Sequence, residues 1–480
     1  MGFSDERLSE ALKVTYIERM GMRVGDARPA VRQAPAAAPL LAAGLIAAVF
    51  MSGIINLLPA PAGIAPGSLV IDALVMMMAL AAVAETIRCR GRVVVPAWLP
   101  AFGLLLATYL ALLPHGPEAF PAKLLDLRSQ VLYIVAGVAV AIAVPRSSDR
   151  RMLVRVAMWS AFASALFGIC QFVFRGVLPV WLLHPADADL FGYWGTDIIR
   201  SNGLLGNTIV YANVLVLFLA LWAAQLAVGF SWRRLAAVCV LFAAVLTTFS
   251  RIAIVGAVAI CAVLLIPALL RWGVRLRRMN RGAAWGLFGL LPASAALAGL
   301  ALGAAGAFDR VASTFLIGDL FLNRNPSVQA STAIHNDFID VAWRILSQSP
   351  LVGEGIHSQR ADSINARSSV VILDGAAWQV LAEGGLLLFA AFAVLAAAVA
   401  LALVRLIKAT GHFAAAGLLA FWIYEFCAAV FVNSALFGKA SFLLMWVLVG
   451  AVTAEAASRD RGELHRMLTH RSIQDAPSSS

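Results

Sequence analysis

The sequence predicts an all-α polytopic membrane protein, and three observations predict it. Hydrophobic residues make up 61% of the 480, and the mean hydropathy is +0.86. Apolar runs of about 20 residues recur along the chain, each long enough to cross a hydrocarbon core of about 30 Å. Charged residues are only 13% of the total and collect in the short intervals between those runs. This pattern excludes a soluble globular chain. The formal charge of +11 needs no nucleic-acid partner, because basic residues also set membrane topology.

Residues 1–37 form a basic tail expected on the cytoplasmic side. Leu8, Leu12 and Tyr16 recur there at helical spacing, so a short interfacial helix competes with a solvated tail. No cleavable signal precedes the first apolar run, which makes the first span an uncleaved anchor. A membrane domain over 38–457 follows, with a second tail over 458–480. About twelve spans are expected, at roughly 38–58, 67–87, 96–113, 124–144, 152–174, 204–228, 232–249, 251–270, 284–307, 376–404, 412–432 and 438–457.

Orientation follows from the basic residues. Arg88, Arg90 and Arg92, then Arg146, Arg150 and Arg151, then Arg233 and Arg234, fall in alternate intervals. The run RWGVRLRRMNR, Arg405, Lys408 and the arginines of both tails continue the series. Lys and Arg concentrate on the cytoplasmic side, so both termini are expected inside. One large external loop, 308–375, is then expected between spans nine and ten. It is the longest polar interval in the chain and carries five arginines, two histidines, six aspartates and a glutamate.

Basic residues on the outer side run against that bias and ask for a reason. Arg200 opens RSNGLLGNTIVYAN, where Gly203, Gly206, Asn207, Tyr211 and Asn213 interrupt an apolar helix. It is either a snorkelling side chain beside a packing interface or an anion-binding group at the rim of a cavity. Arg251 stands in the tight turn TTFSRIAI, where it is paired or meets a ligand. Guanidinium groups match phosphate oxygens in a bidentate way, so an electropositive outer pocket points to a diphosphate. Arg310, Arg324, Arg344, Arg360 and Arg367 add to it from the loop, and His335 and His357 flank SPLVGEG. Glu383 and Glu425 lie inside apolar helices, where pairing with an arginine is the default. The cysteines (Cys89, Cys170, Cys239, Cys261 and Cys427) show no metal or redox spacing, and no metal site or cofactor is expected.

Four segments, in this order, resemble the O-antigen ligase/O-antigen polymerase superfamily of bacterial envelope glycosyltransferases. RSNGLLGNTIVYAN resembles that family's Arg-x-x-Gly segment, and TTFSRIAI its Ser-Arg element. SPLVGEG resembles its Pro-Leu-x-Gly-x-Gly turn, and AAWQVLAEGGLLLF the Leu-x-x-Glu-x-Gly-Leu stretch that re-enters the membrane. The resemblance covers about residues 195–455. It implies metal-independent transfer of a glycan from an undecaprenyl-diphosphate carrier to an acceptor hydroxyl, at the periplasmic face of the inner membrane. Arg200 and Arg251 match the family's diphosphate-binding positions, and Arg310 and Arg344 are expected to assist. The LPAPAGIAPG loop lacks the carboxylates of metal-dependent oligosaccharyltransferases.

The sequence departs from the family at the general base. Asp374-Gly375 occupies the position of the family's His-Asn pair. Three readings stand: Asp374 is the base, His335 or His357 supplies an imidazole instead, or positioning alone suffices, with Asp374 first and His335 second. The favoured function is a polymerase of exopolysaccharide or O-antigen units, with a ligase to lipid A-core as the alternative. A lipid-linked sugar transporter or flippase is the rival class. Expected partners are the lipid-linked oligosaccharide, the acceptor glycan or lipid A-core, membrane lipid, and through the resemblance a flippase and a chain-length regulator.

Overall fold

The structure is a computed structural model. It describes residues 37–56, 66–90, 93, 95–174, 178–179, 182, 192–193, 196–276, 337, 339–359, 375–430 and 440–455. Both tails, the ninth expected span, and Arg310, His335 and Asp374 lie outside the described residues.

Eleven labelled helices follow in chain order: α1 Ala37–Phe50, α2 Pro66–Arg88, α3 Leu99–Leu112, α4 Phe120–Ala143, α5 Ser147–Val173, α6 Thr208–Val228, α7 Trp232–Thr247, α8 Arg251–Leu276, α9 Ala376–Thr410, α10 Phe413–Ala428 and α11 Ala440–Glu455. Each expected span other than the ninth, which lies outside the described residues, overlaps one of them. Six are long and apolar enough to cross a membrane: α2, α4, α5, α6, α8 (over Arg251–Leu269) and α9. The chain is thus an α-helical membrane protein. One departure from all-α among the described residues is an antiparallel ribbon, β1 Gly192–Tyr193 with β2 Thr196–Ile199, in the polar interval before Arg200.

The helix α6 is the hub. It is apolar on every face, and a helix of that kind is stable only when surrounded. It packs against α5, α7, α8 and α10, and 83% of its apolar window is buried. Asn207 caps its start, accepting from the Ile209 and Val210 amides at 3.0 Å each.

Three boundaries differ from the sequence expectation, each for a local reason. The first span is interrupted at Met51, between α1 and one turn of helix over Ser52–Ile55, where the Gly53 N–H donates to Leu204 O at 2.8 Å. An added Cβ at Gly53 would lie 2.5 Å from that oxygen. The helix α4 begins at Phe120, with Pro121 in its first turn, and so takes in Lys123. The helix α5 begins at Ser147 and takes in Arg150, which the sequence placed in a loop. Arg150 is 1% exposed and its guanidinium curls back to Pro145 O at 2.7 Å.

Contacts at the helix ends sort into two sets. At the end carrying Arg200 and Arg251, backbone bonds and close packing form two groups: 53 with 204 and 201 with 247 in one, and 115–116, 350–355, 375–387 and 429–430 in the other. At the far end, Glu455 meets His412 at 3.4 Å and Arg151 at 4.0 Å, and the Trp98 indole N–H donates to Thr453 Oγ1 at 3.2 Å.

Candidate functional site

The four motifs form two joined pairs at one end of the bundle. In the first pair, the segment entering α6 is stapled to the turn between α7 and α8. The Ser201 amide donates to Thr247 O at 3.1 Å, and the Ser201 and Thr247 hydroxyls share a hydrogen bond of 2.6 Å. The Nε–H of Arg200 donates to Thr248 O at 2.7 Å. Arg200 is thereby held at a carbonyl three residues before Arg251, although the two are far apart in sequence. From below, the Gln171 side chain of α5 donates to Gly203 O at 2.9 Å and to Leu182 O at 2.7 Å.

The two arginines are not equivalent. Arg200 is tethered through Nε. Arg251 opens α8, is partly buried, and its guanidinium makes no hydrogen bond or ion pair among the described residues. A cation at a helix N-terminus faces the unfavourable end of the macrodipole, which an arriving anion would offset. The chemistry available to the corner is therefore anion binding from one fixed and one open guanidinium.

In the second pair, the turn Ser349–Gly355 lies along the start of α9. The Glu354 and Gly355 amides donate to Ala382 O (2.8 Å) and Glu383 O (3.0 Å). In return the Leu386 and Leu387 amides donate to Pro350 O (2.9 Å) and Leu351 O (3.2 Å). This exchange requires α9 to break at Gly385, which adopts φ 61° and ψ −160°, a conformation open essentially to glycine alone. Its partner Gly353 has φ 64°, and a Cβ there would meet Ala382 O. Residues 376–384 thus form a separate helical piece, anchored at its start by the Ala377 amide on Ala429 O at 2.9 Å.

A third segment, absent from the sequence expectation, braces this second pair. His115 Nε2 lies 3.0 Å from Gly353 O, and Gly116 packs on Gly355 so closely that a Cβ on either would clash with the other's backbone or its neighbour's. Lys123, 3% exposed, holds that segment. Its ammonium donates to Leu113 O (3.1 Å), His115 O (2.6 Å) and Gly116 O (3.0 Å). Three carbonyls match its three donors, and its charge complements the C-terminus of α3. A lysine just inside an apolar run was the available signal; nothing local in the sequence pairs it with a turn more than 200 residues away.

The remaining candidates fall as follows. His357 is described, 8% exposed, with φ 75°, two residues after the Pro-Leu turn. Glu354 accepts from the Gln359 amide at 2.8 Å, and partial burial nevertheless raises its carboxyl above the usual range. Arg344 is exposed on a short helix over 339–348 and is not joined to Arg200 or Arg251 by any contact among the described residues. Glu383, expected to pair with arginine, accepts from the Gln379 amide at 2.9 Å. Glu425 is 1% exposed, and among the described residues neither of its carboxylate oxygens has a hydrogen bond and no arginine pairs with it. Among the described residues, no group of three or more His, Cys, Asp and Glu is gathered as metal ligands are.

No protein-family model matches this chain, and no curated protein does.

Proposed function

We propose that the chain is a metal-independent membrane glycosyltransferase that moves a glycan from an undecaprenyl-diphosphate carrier to an acceptor hydroxyl. The single observation that carries this reading is the meeting of Arg200 and Arg251 at one corner through the Arg200–Thr248 bond. A lipid diphosphate leaves with developing negative charge at a membrane interface, and paired guanidinium groups stabilise that charge. The braced turn and broken re-entry helix at the same end give a second, rigid wall. Polymerisation of exopolysaccharide or O-antigen units is the favoured activity, with ligation to lipid A-core as the alternative.

The reading includes twelve spans, both termini in the cytoplasm, and the arginine corner on the periplasmic side of the bacterial inner membrane. Its support is the sorting of helix-end contacts into the two sets that alternating spans demand. The basic interval Arg146–Arg151 falls at the far end, as positive-inside bias requires of a cytoplasmic face. Arg251 and Leu276 bound one helix, and the Ser349–Gly355 turn stands at the Arg251 end; a ninth span over 284–307 is the part of the proposal that would return the chain there. The base is Asp374, with His335 and then His357 behind it. The diphosphate contacts are Arg200 and Arg251, assisted by Arg310 and Arg344. Glycan carrier, acceptor, flippase and chain-length regulator are the partners.

The rival, a transporter of lipid-linked sugar, draws support from Glu425. An unpartnered carboxyl inside an apolar bundle is costly and marks substrate or ion pathways in transporters. Purified protein given polyprenyl-diphosphate-linked glycan separates the two. Release of polyprenyl diphosphate with lengthening chains is the expected outcome; an intact carrier in every condition sinks the transferase. R251A and R200A should abolish transfer while the protein still inserts and unfolds at the wild-type temperature for R251A. D374N tests the base: unchanged turnover removes Asp374 from the mechanism.

A further inference from the structure

The short helix over 339–348 sits on the first piece of α9. Ala342 and Ile345, 1% and 6% exposed, pack against fully buried Ala382, with Val341 and Trp378 around them. This packing leaves Trp343 on the outside, 56% exposed. Its ring lies 6.1 Å from that of Trp378 at an interplanar angle of 55°, so the two indoles form an open V and not a closed stack. The Trp378 indole N–H is buried and has no acceptor among the described residues. A buried donor without a partner calls for an oxygen from elsewhere. The same edge of Trp378 rests on Gly375, where an added Cβ would lie 2.9 Å from Cδ1. The orphan donor therefore stands on the indole that rests on Gly375, the residue that follows Asp374 in the sequence.

Membrane-interface tryptophans supply a bland explanation for Trp343 alone, since an exposed indole is at home among headgroups. They do not explain Trp378. An interface anchor keeps its N–H toward water, whereas this one is turned inward. An exposed aromatic face next to an inward donor is what a pyranose ring needs: its C–H face lies on the indole, and a ring or hydroxyl oxygen accepts from the N–H.

We propose that Trp343 and Trp378 form a saccharide-binding platform, with the sugar ring lying on the exposed face of Trp343 and one of its oxygens taking the Trp378 N–H. The inference rests on the glycosyltransferase reading for its role, which is to hold a sugar ring beside residue 374; the binding itself does not depend on that reading. The sugar can come from the lipid-linked donor or from the acceptor.

The test uses full-length protein in detergent, with two probes. One is the intact polyprenyl-diphosphate-linked glycan; the other is the same oligosaccharide freed from its carrier by mild acid. Binding of the free oligosaccharide is followed by saturation-transfer NMR, and turnover of the intact carrier by product analysis. W343A should weaken the free oligosaccharide about tenfold. W378F, which keeps a ring but removes the N–H, should weaken it less. A rise in acceptor KM with unchanged carrier consumption identifies an acceptor subsite, and a rise in carrier KM a donor subsite. Binding that depends on Trp343 without any turnover keeps the platform and rejects the transferase. No oligosaccharide binding by the wild type overturns the platform. Wild-type binding by W343A and W378F does so too, leaving Trp343 as an interface anchor and a water on Trp378.

Discussion

The two motif pairs are built differently, and the difference sets what each tolerates. The Arg200–Arg251 corner is held by side chains: the Ser201–Thr247 hydroxyl pair, the Arg200 Nε–H on Thr248, and the Gln171 amide. The Pro350–Leu387 wall is held by main chain, through four amides and the glycines at 353 and 385. Trimming side chains loosens the first and leaves the second intact. Adding a single carbon does the reverse. A site that drew on both would have one adjustable wall and one that could not be adjusted.

The largest expected effect is on the main-chain wall. G385A imposes a Cβ 2.4 Å from the Leu351 carbonyl carbon, on a backbone that only glycine adopts readily. Strain of about 1–3 kcal/mol comes with the dihedrals alone, and the clash adds to it. Little folded protein should be recovered by size exclusion in detergent, whereas G44A on α1, with open space around it, should behave as wild type. If G385A folds and turns over normally, the two walls are not different in kind.

Next comes the brace. K123M leaves three carbonyls without their donor and should lower stability by roughly 1.5–3 kcal/mol or more, with turnover falling in step with thermal stability. That contrasts with R251A, where turnover alone should fall. The side-chain corner should respond more gently. S201A and T247A, measured singly and together, should couple by about 1 kcal/mol; additive effects would mean that the hydroxyl pair does not hold the corner.

The smallest effect concerns pH. Burial raises the Glu354 carboxyl, with the Gln359 bond only partly opposing it. A group whose folded state holds its proton more tightly stabilises below its unfolded pKa and loses that contribution as pH rises through the folded value. A slight fall in melting temperature is therefore expected from the ordinary carboxylate range upward. E354Q should flatten it, and an unchanged profile would remove Glu354 as its source.

Much of this was legible in the chain because apolar length is a local property. The apolar runs that form the described helices could be read directly, and GEG and EGG advertise tight turns. What could not be read is long-range pairing. Nothing near Lys123 announces that its charge is spent on carbonyls bracing residue 353. Nothing around Gly53 reveals that its amide leaves the first span for Leu204. Arg150 looked like a loop residue because charge in an apolar region is costly, yet a carbonyl within its own reach meets part of its hydrogen-bonding demand. Glu425 shows the opposite miss: pairing was the sensible default, and no arginine meets it among the described residues.

The last described helix has a consequence for how the chain is made. In α11, Gly450 meets Gly137 of α4 backbone to backbone, Trp446 lies on the same glycine, and Trp98 reaches across to Thr453. A ribosome delivers α3 and α4 some 300 residues before this helix exists. Until then the early helices stand in the bilayer with an open seam, exposed to wrong neighbours and to quality-control proteases. Interrupting synthesis anywhere before residue 440 should therefore yield inserted chains that are rapidly degraded, however complete their arginine corner.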